Sequence, residues 1–354
     1  MKTRVSIGFA FALLLAPVAR AADYPVPKPG DWTAANFHFH DGSVLPALKI
    51  HYTTIGAPGG LPVLILHGTA GTGAGMLNPG FAGQLFGPGQ VLDAAKYFII
   101  LTDSIGTGGS SKPSDGLRAK FPQYDLDDMV SAQYRLLTEG LGLHHLRLVL
   151  GNSMGGMETW RWGIDHPDFM DALAPLASQP TAMAARNWML RRMLIEMIRQ
   201  DPEFDHGDYV KQPSSLRLAA AMFGLATSGG TLALQHRAPT HAQADQIVDA
   251  RLAGPGPADA NDYIAQWEAS ADYDPAPSLG QITAPVLAIN SADDERNPVE
   301  TGVMQAAMTR VPHGQLYVIP ASATTRGHGT TEIANLWAPQ LRAFLESVPL
   351  HAPM

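Results

Sequence analysis

Six short runs of apolar residues constrain this chain more than any other feature, because none of them alternates with polar residues. They are Pro62–Leu66, Tyr97–Leu101, Leu146–Leu150, Ala172–Leu176, Val286–Ile289 and Leu316–Ile319. A strand with one wet face alternates with a period of two, so a continuous apolar run must be covered on both faces. Stretches with helical spacing fall between the runs. Asp125–Gly142 sets Leu126, Met129, Val130, Gln133, Leu136 and Leu137 along one side, with Asp127 and Asp128 in its first turn. Gly156–His166 stops at Pro167, and Thr331–Val348 closes the chain. Strands alternating with helices predict an α/β protein with a mostly parallel, doubly wound sheet. Ahead of it, Phe37–His40 and Leu45–Thr54 alternate around Asp41-Gly42 and predict a hairpin.

The rhythm breaks between residues 181 and 278, where no buried strand is legible. Helical pieces at Met183–Gln200, Ser214–Leu225 and His241–Leu252 predict a helical cap, inserted between a first core part (22–180) and a second (279–354). Residues 1–21 read differently. Lys2 and Arg4 precede an apolar run from Val5 to Val18, and Ala19-Arg20-Ala21 has the small-x-small form of a cleavage site. The run is short for a membrane span, so the expectation is a cleavable signal peptide and a periplasmic or secreted protein.

The formal net charge of −8 becomes −11 once Lys2, Arg4 and Arg20 leave, with 21 basic against 32 acidic residues. An acidic chain without a basic run excludes a nucleic-acid partner, and no membrane association is expected after signal cleavage. There is no Cys, hence no disulfide, lipid-modified thiol or thiolate metal site. The 13 His show no HExxH pattern and read as surface or satisfied residues, so no metal is expected.

Gly151-Asn152-Ser153-Met154-Gly155 is a G-x-S-x-G pentapeptide. Alone it is a weak signal in so glycine-rich a chain. Its position between a buried strand and a helix makes it strong, because that is the setting of the nucleophile elbow in the α/β-hydrolase fold. A nucleophilic serine needs a base, an orienting carboxylate and donors for the oxyanion. The run Val286–Ile289 leads into Asp293 and Asp294, which compete as the carboxylate; Asp294, four residues before Pro298, has the commoner spacing for this fold. Of the downstream histidines, His313 precedes the last strand and His351 lies in the tail. His328, between Gly327 and Gly329, follows that strand and is the expected base. The oxyanion donors are expected at the backbone N–H of Met154 and of Thr69, in the loop after Pro62–Leu66. No cofactor is required by this chemistry.

With these residues in place the chain resembles the homoserine O-acetyltransferase-like group of α/β hydrolases. The likeness runs over most of the mature chain: Tyr97–Leu101, Asp127-Asp128-Met129-Val130 with Gln133, and Gly151 through Met157. It continues with Asn187, Arg191, Asp201-Pro202, Gly207-Asp208-Tyr209, Asp272-Tyr273-Asp274, and Asp294 with Pro298. The resemblance implies a helical cap over a deep acyl-transfer site, a homodimer formed through that cap, and Arg191 as a binding group for a substrate carboxylate.

The departures bear on the reaction. Transferases of the group carry an Asp after the catalytic His, where this chain has Gly329, and their oxyanion loop reads His-Ala-Leu-Thr-Gly rather than His67-Gly68-Thr69-Ala70-Gly71. The loop Asp103–Ser110 resembles that of ordinary hydrolases. A secreted protein would also lack acetyl-CoA, a cytosolic metabolite. The expectation is therefore a serine esterase acting on a small-molecule ester, with an acyltransferase as the alternative and a non-catalytic binding protein as a third reading. Met189, Met193 and Met197, four residues apart, are expected either to pack between cap helices or to line an acyl pocket.

Overall fold

The computed structural model describes residues 23–351, so segment 1–21, where the sequence leads one to expect a signal peptide, lies outside the described residues. Eight strands form one sheet: β1 (Lys28–His38), β2 (Val44–Ile55), β3 (Leu61–Leu66), β4 (Tyr97–Thr102), β5 (Leu148–Asn152), β6 (Leu173–Leu176), β7 (Val286–Ser291) and β8 (Gly314–Ile319). Their order is β1-β2-β4-β3-β5-β6-β7-β8. β1, β2 and β4 pair antiparallel, and every pairing from β4 to β8 is parallel. This is the mostly parallel α/β-hydrolase sheet.

The helices are α1 (Ala82–Leu85), α2 (Leu126–Arg135), α3 (Met154–Asp165), α4 (Ala185–Arg199), α5 (Ser215–Thr227), α6 (Thr231–Arg237), α7 (His241–Ala253), α8 (Ala260–Glu268), α9 (Val303–Met308) and α10 (Ala338–Ser347). Successive residues of each central strand feed opposite layers. Val63 and Ile65 of β3 join Leu148 and Leu150 of β5 against Phe81, Phe86, Trp337 and Phe344. Leu64 and Leu66 point the other way with Val149, onto Trp160 and Trp162 of α3. Two-sided burial is the reason these strands read as unbroken apolar runs.

Several elements differ from the sequence expectation, α6 and α8 among them, which no reading of the cap anticipated. β1 begins at Lys28, well before Phe37, because Thr33, Ala35 and their neighbours are held by the ladder to β2 rather than by apolar burial. α2 is followed by a wider π-type turn over Leu136–Gly140. The last helix starts at Ala338 rather than Thr331, since tight 3₁₀ turns at Gly327–Glu332 and Ala334–Leu336 precede it.

Between β6 and β7 the chain runs through α4 to α8, of which α4, α5 and α8 share a core of their own built on Leu194, Ile198, Phe223, Tyr263 and Trp267. Met189 and Met193 do not pack between these helices or line the cavity beside Ser153: they are 65% and 55% exposed. Only Met197 packs against the cap core. Among the described residues no single helix is long and apolar enough to cross a membrane.

Candidate active site

All parallel strands end on one rim of the sheet, and the polar residues gather there. The turn from β5 into α3 holds Ser153 at φ 58° and ψ −110°. A residue with a side chain keeps such a backbone only where its surroundings over-determine it. Here two glycines let the elbow close. A Cβ on Gly151 would lie 1.9 Å from the Gly155 carbonyl oxygen, and one on Gly155 would lie 2.4 Å from that of Leu66. Backbone bonds from Ser153 N–H to the Leu176 carbonyl (2.9 Å) and from Gly155 N–H to the His67 carbonyl (3.0 Å) fix the turn to both neighbouring strands.

The structure brings Ser153, His328 and Asp294 into one line. Ser153 Oγ is 2.7 Å from His328 Nε2, and His328 Nδ1 lies 3.0 and 2.9 Å from the two oxygens of Asp294. An ionised carboxylate only accepts, so Nδ1 carries the ring proton and Nε2 is free to accept the serine hydroxyl. Burial alone would raise the Asp294 carboxyl. The His328 ring, the Asn297 side-chain amide and the Arg296 backbone N–H outweigh it and hold the group below the usual carboxylate range. Burial pushes the His328 ring below its usual 6.5; Asp294 opposes this, while Arg296 and Arg191 add to it.

The choice between the two aspartates is geometric. Asp293 turns away from the ring and accepts from Thr325 Oγ1 at 2.7 Å and from Ser291 Oγ, so it braces the loop that carries His328. Asn297 was not singled out in the sequence. Its side-chain amide donates to Asp294 Oδ2 and to the Ala177 carbonyl, both at 2.9 Å, locking the carboxylate from behind. Its place one residue before Pro298 was the only signal.

The expected oxyanion donors flank Ser153. Met154 opens α3, where the helix dipole favours negative charge. Gly68 lies so close that a Cβ on it would sit 3.3 Å from Ser153 Cβ, and Thr69 is the residue that follows it. Among the described residues neither the Thr69 nor the Met154 backbone N–H has an acceptor.

Ser153 and His328 open into a cavity of about 370 Å³ lined also by Met157, Gln179, Met183, Arg191 and Arg296. Arg191 is 2% exposed. It donates to Asn187 Oδ1 (3.0 Å) and Ser270 Oγ (2.7 Å) and stacks over Trp267. Burial, with Arg296 nearby, lowers its guanidinium to about 9. No carboxylate pairs with it among the described residues. Arg296, unmarked in the sequence, is held by Thr227 and Ser228, and its Nε is buried without a partner. A larger depression of about 610 Å³ lies beside α4 and α8 and contains none of the three aligned residues. Two groups of potential metal ligands, His145/Asp171/His351 and His40/Asp125/Asp272, share no residue with the serine cavity.

Two outcomes follow from this geometry. Asp294→Asn should cut any acyl transfer that runs through Ser153 by roughly 10⁴-fold by favouring the wrong ring tautomer, whereas Asp293→Asn should cost less than about tenfold; equal losses would reverse the assignment. The base must be unprotonated, so kcat/KM for a neutral ester should fall on the acid side, with its midpoint below 6.5. A midpoint above 6.5 would contradict the ring's environment.

Comparison with known proteins agrees with this architecture. Residues 62–323 match the model of the α/β-hydrolase fold family. The homoserine O-acetyltransferase of Nautilia profundicola is 35% identical over 210 residues, 52% of this chain and 55% of that protein. The ethyl acetate hydrolase of Pseudomonas veronii is 39% identical over 127 residues, 35% of this chain and 36% of that protein. The chain thus spans about half the length of the transferase relatives it matches, and less of the hydrolase. Among solved structures, an acetylester hydrolase from Corynebacterium glutamicum superposes with TM-score 0.78 at 23% identity, covering 90% of this chain and 96% of that one. Homoserine O-acetyltransferase from Bacillus anthracis gives TM-score 0.76 at 20% identity, with 92% and 99% covered. At such identities the superpositions speak for fold alone. The family match covers most of the chain, and the protein belongs to the α/β-hydrolase fold family.

Proposed function

We propose that this protein is a serine esterase that cleaves a small carboxylic ester through an acyl-Ser153 intermediate. The observation that carries the proposal is the hydrogen-bonded line Ser153–His328–Asp294 opening into a cavity of about 370 Å³. Ser153 Oγ attacks the ester carbonyl carbon while His328 Nε2 takes its proton. The oxyanion is held by the Thr69 and Met154 N–H groups. Collapse breaks the bond to the alcohol oxygen, which leaves with the proton from His328. Water then attacks the acyl-enzyme, giving its proton to His328 and returning the serine hydroxyl with release of the acid. Asp294 stays ionised throughout and stabilises the imidazolium.

An acyltransferase would run the same steps with a bound alcohol in place of water. It must then hold that alcohol near His328 and exclude water. Gly329 leaves no side chain directly after the base to do so, which favours water. The partial likeness to an ethyl acetate hydrolase points the same way. Residues 1–21 support a place of action outside the cytoplasm, away from acetyl-CoA.

The transferase reading keeps one specific support. Arg191 is a buried cation in the cavity with no carboxylate partner among the described residues, as a site for an acidic substrate would require. An esterase acting on carboxylate-bearing esters would use it equally.

Nitrophenol release from nitrophenyl acetate, with and without homoserine, separates the readings. Turnover that vanishes in Ser153→Ala and ignores homoserine is expected. Acceleration by homoserine with formation of acetylated homoserine would make the protein a transferase. For Arg191→Ala, KM should rise about tenfold or more for an ester ending in a carboxylate and stay unchanged for nitrophenyl acetate. An equal change in both would remove Arg191 from substrate binding.

A further inference from the structure

The loop that brings Thr69 to Ser153 is gripped from two sides, and one grip comes from the cap. Gln266 of α8 is 4% exposed, and both ends of its amide are used. Its Oε1 accepts from the Ala70 backbone N–H at 2.6 Å, and its Nε2 donates to the Gly106 carbonyl at 2.7 Å. These partners lie on separate core loops, one after β3 and one after β4. Both stand in the left-handed region, Ala70 at φ 60° and Gly106 at φ 88°. Ala70 has a side chain, so its conformation needs an external hold.

The second grip comes from His67. Its Nε2 faces the Ser104 backbone N–H at 3.0 Å, which can only donate. The proton therefore sits on Nδ1 and is donated to the Gly68 carbonyl at 2.8 Å. That carbonyl also accepts from Gly71 N–H at 2.9 Å. A trans peptide unit points its C=O and its N–H in opposite directions. Fixing the Gly68 carbonyl therefore fixes the direction of the Thr69 N–H. Fixing the Ala70 N–H fixes the next peptide plane. Thr69 is thus held between two anchored planes, one tied to the core by His67 and the other tied to the cap by Gln266.

We infer that Gln266 is a positioning residue for the oxyanion: through Ala70 it lets a seated cap hold the Thr69 N–H in place for the reaction. The inference rests on the acyl-serine reading above. It makes the cap part of the catalytic apparatus as well as a wall of the cavity. An interaction of this kind counts most when charge develops on the carbonyl oxygen, so its loss acts on turnover rather than on substrate binding.

Gln266→Leu removes both hydrogen bonds with little change in volume, and Gln266→Glu keeps an acceptor for Ala70 while losing the amide donor. For nitrophenyl acetate, Gln266→Leu should lower kcat and kcat/KM together by about 10- to 100-fold with KM within twofold. Affinity for a short alkyl boronic acid, which adds to the serine and places an oxygen in the hole, should fall by a similar factor. Gln266→Glu should lose clearly less kcat than Gln266→Leu. Wild-type kcat in Gln266→Leu would overturn the inference. So would a loss carried by KM, or equal losses in the Leu and Glu variants with unchanged thermal midpoints. Full activity in Ser153→Ala would instead remove the acyl-serine reading itself, so the two failures are distinguishable.

Discussion

Everything at this site depends on how closely α3 approaches the two strands beside it. With Gly151 and Gly155 at the elbow, the helix begins against the backbone of β3, where a single added methyl group would overlap the Leu66 carbonyl. That approach forces Ser153 into its positive-φ conformation and lifts its Oγ clear of the rim. It also places the start of a helix directly behind the nucleophile, so the Met154 N–H and the helix dipole meet any oxyanion formed there. The remaining parts are arranged around this fixed point. β7 and β8 end on the same rim and deliver Asp294 and His328 on loops long enough to converge.

Around the elbow the polar groups are satisfied in layers. Asp294 is wrapped by the Arg296 and Asn297 backbone N–H groups and by the Asn297 side chain, which keeps the charge in place without solvent. On the inner face of α3, Glu158 is fully buried between Gln133 and Ser104, and burial pushes its carboxyl up to about 8. Ser104 in turn presents its N–H to His67. The cap is stitched down at several points: Asp262 accepts from the Ser114 N–H and hydroxyl, Asn187 donates to the Arg296 carbonyl, and Gln266 spans two core loops. A cap seated by directional bonds walls the cavity and also orders the loops beneath it.

Much of this was legible in the sequence where short-range physics decides. Two-sided burial produced the apolar runs, and the glycines around Ser153 marked a turn that only a tight strand–helix junction needs. His328 stood out because it alone of the downstream histidines lies in the loop directly after the last strand, His313 preceding that strand and His351 lying in the tail. Asp293 and Asp294 remained open, since adjacent residues on a loop point in different directions that spacing does not encode. Asn297 carried only its place before Pro298, and Arg296 and Gln266 carried no sequence signal: Gln266 meets Ala70 across 196 positions, and an amide in an amphipathic helix looks like any other polar residue. The Met189–Met193 stripe misled because helical period identifies a face without saying what covers it. β1 was under-read for the opposite reason, its outer residues being held by backbone pairing alone.

The central claim is that Ser153 carries an acyl group which water removes. Rapid-quench mass spectrometry on protein mixed with nitrophenyl acetate addresses it directly. A transient acetyl group on the Ser153 peptide, decaying at the same rate with and without homoserine, would support it. An acetyl group that persists until an alcohol acceptor is added, or one that never forms on Ser153 during turnover, would contradict it.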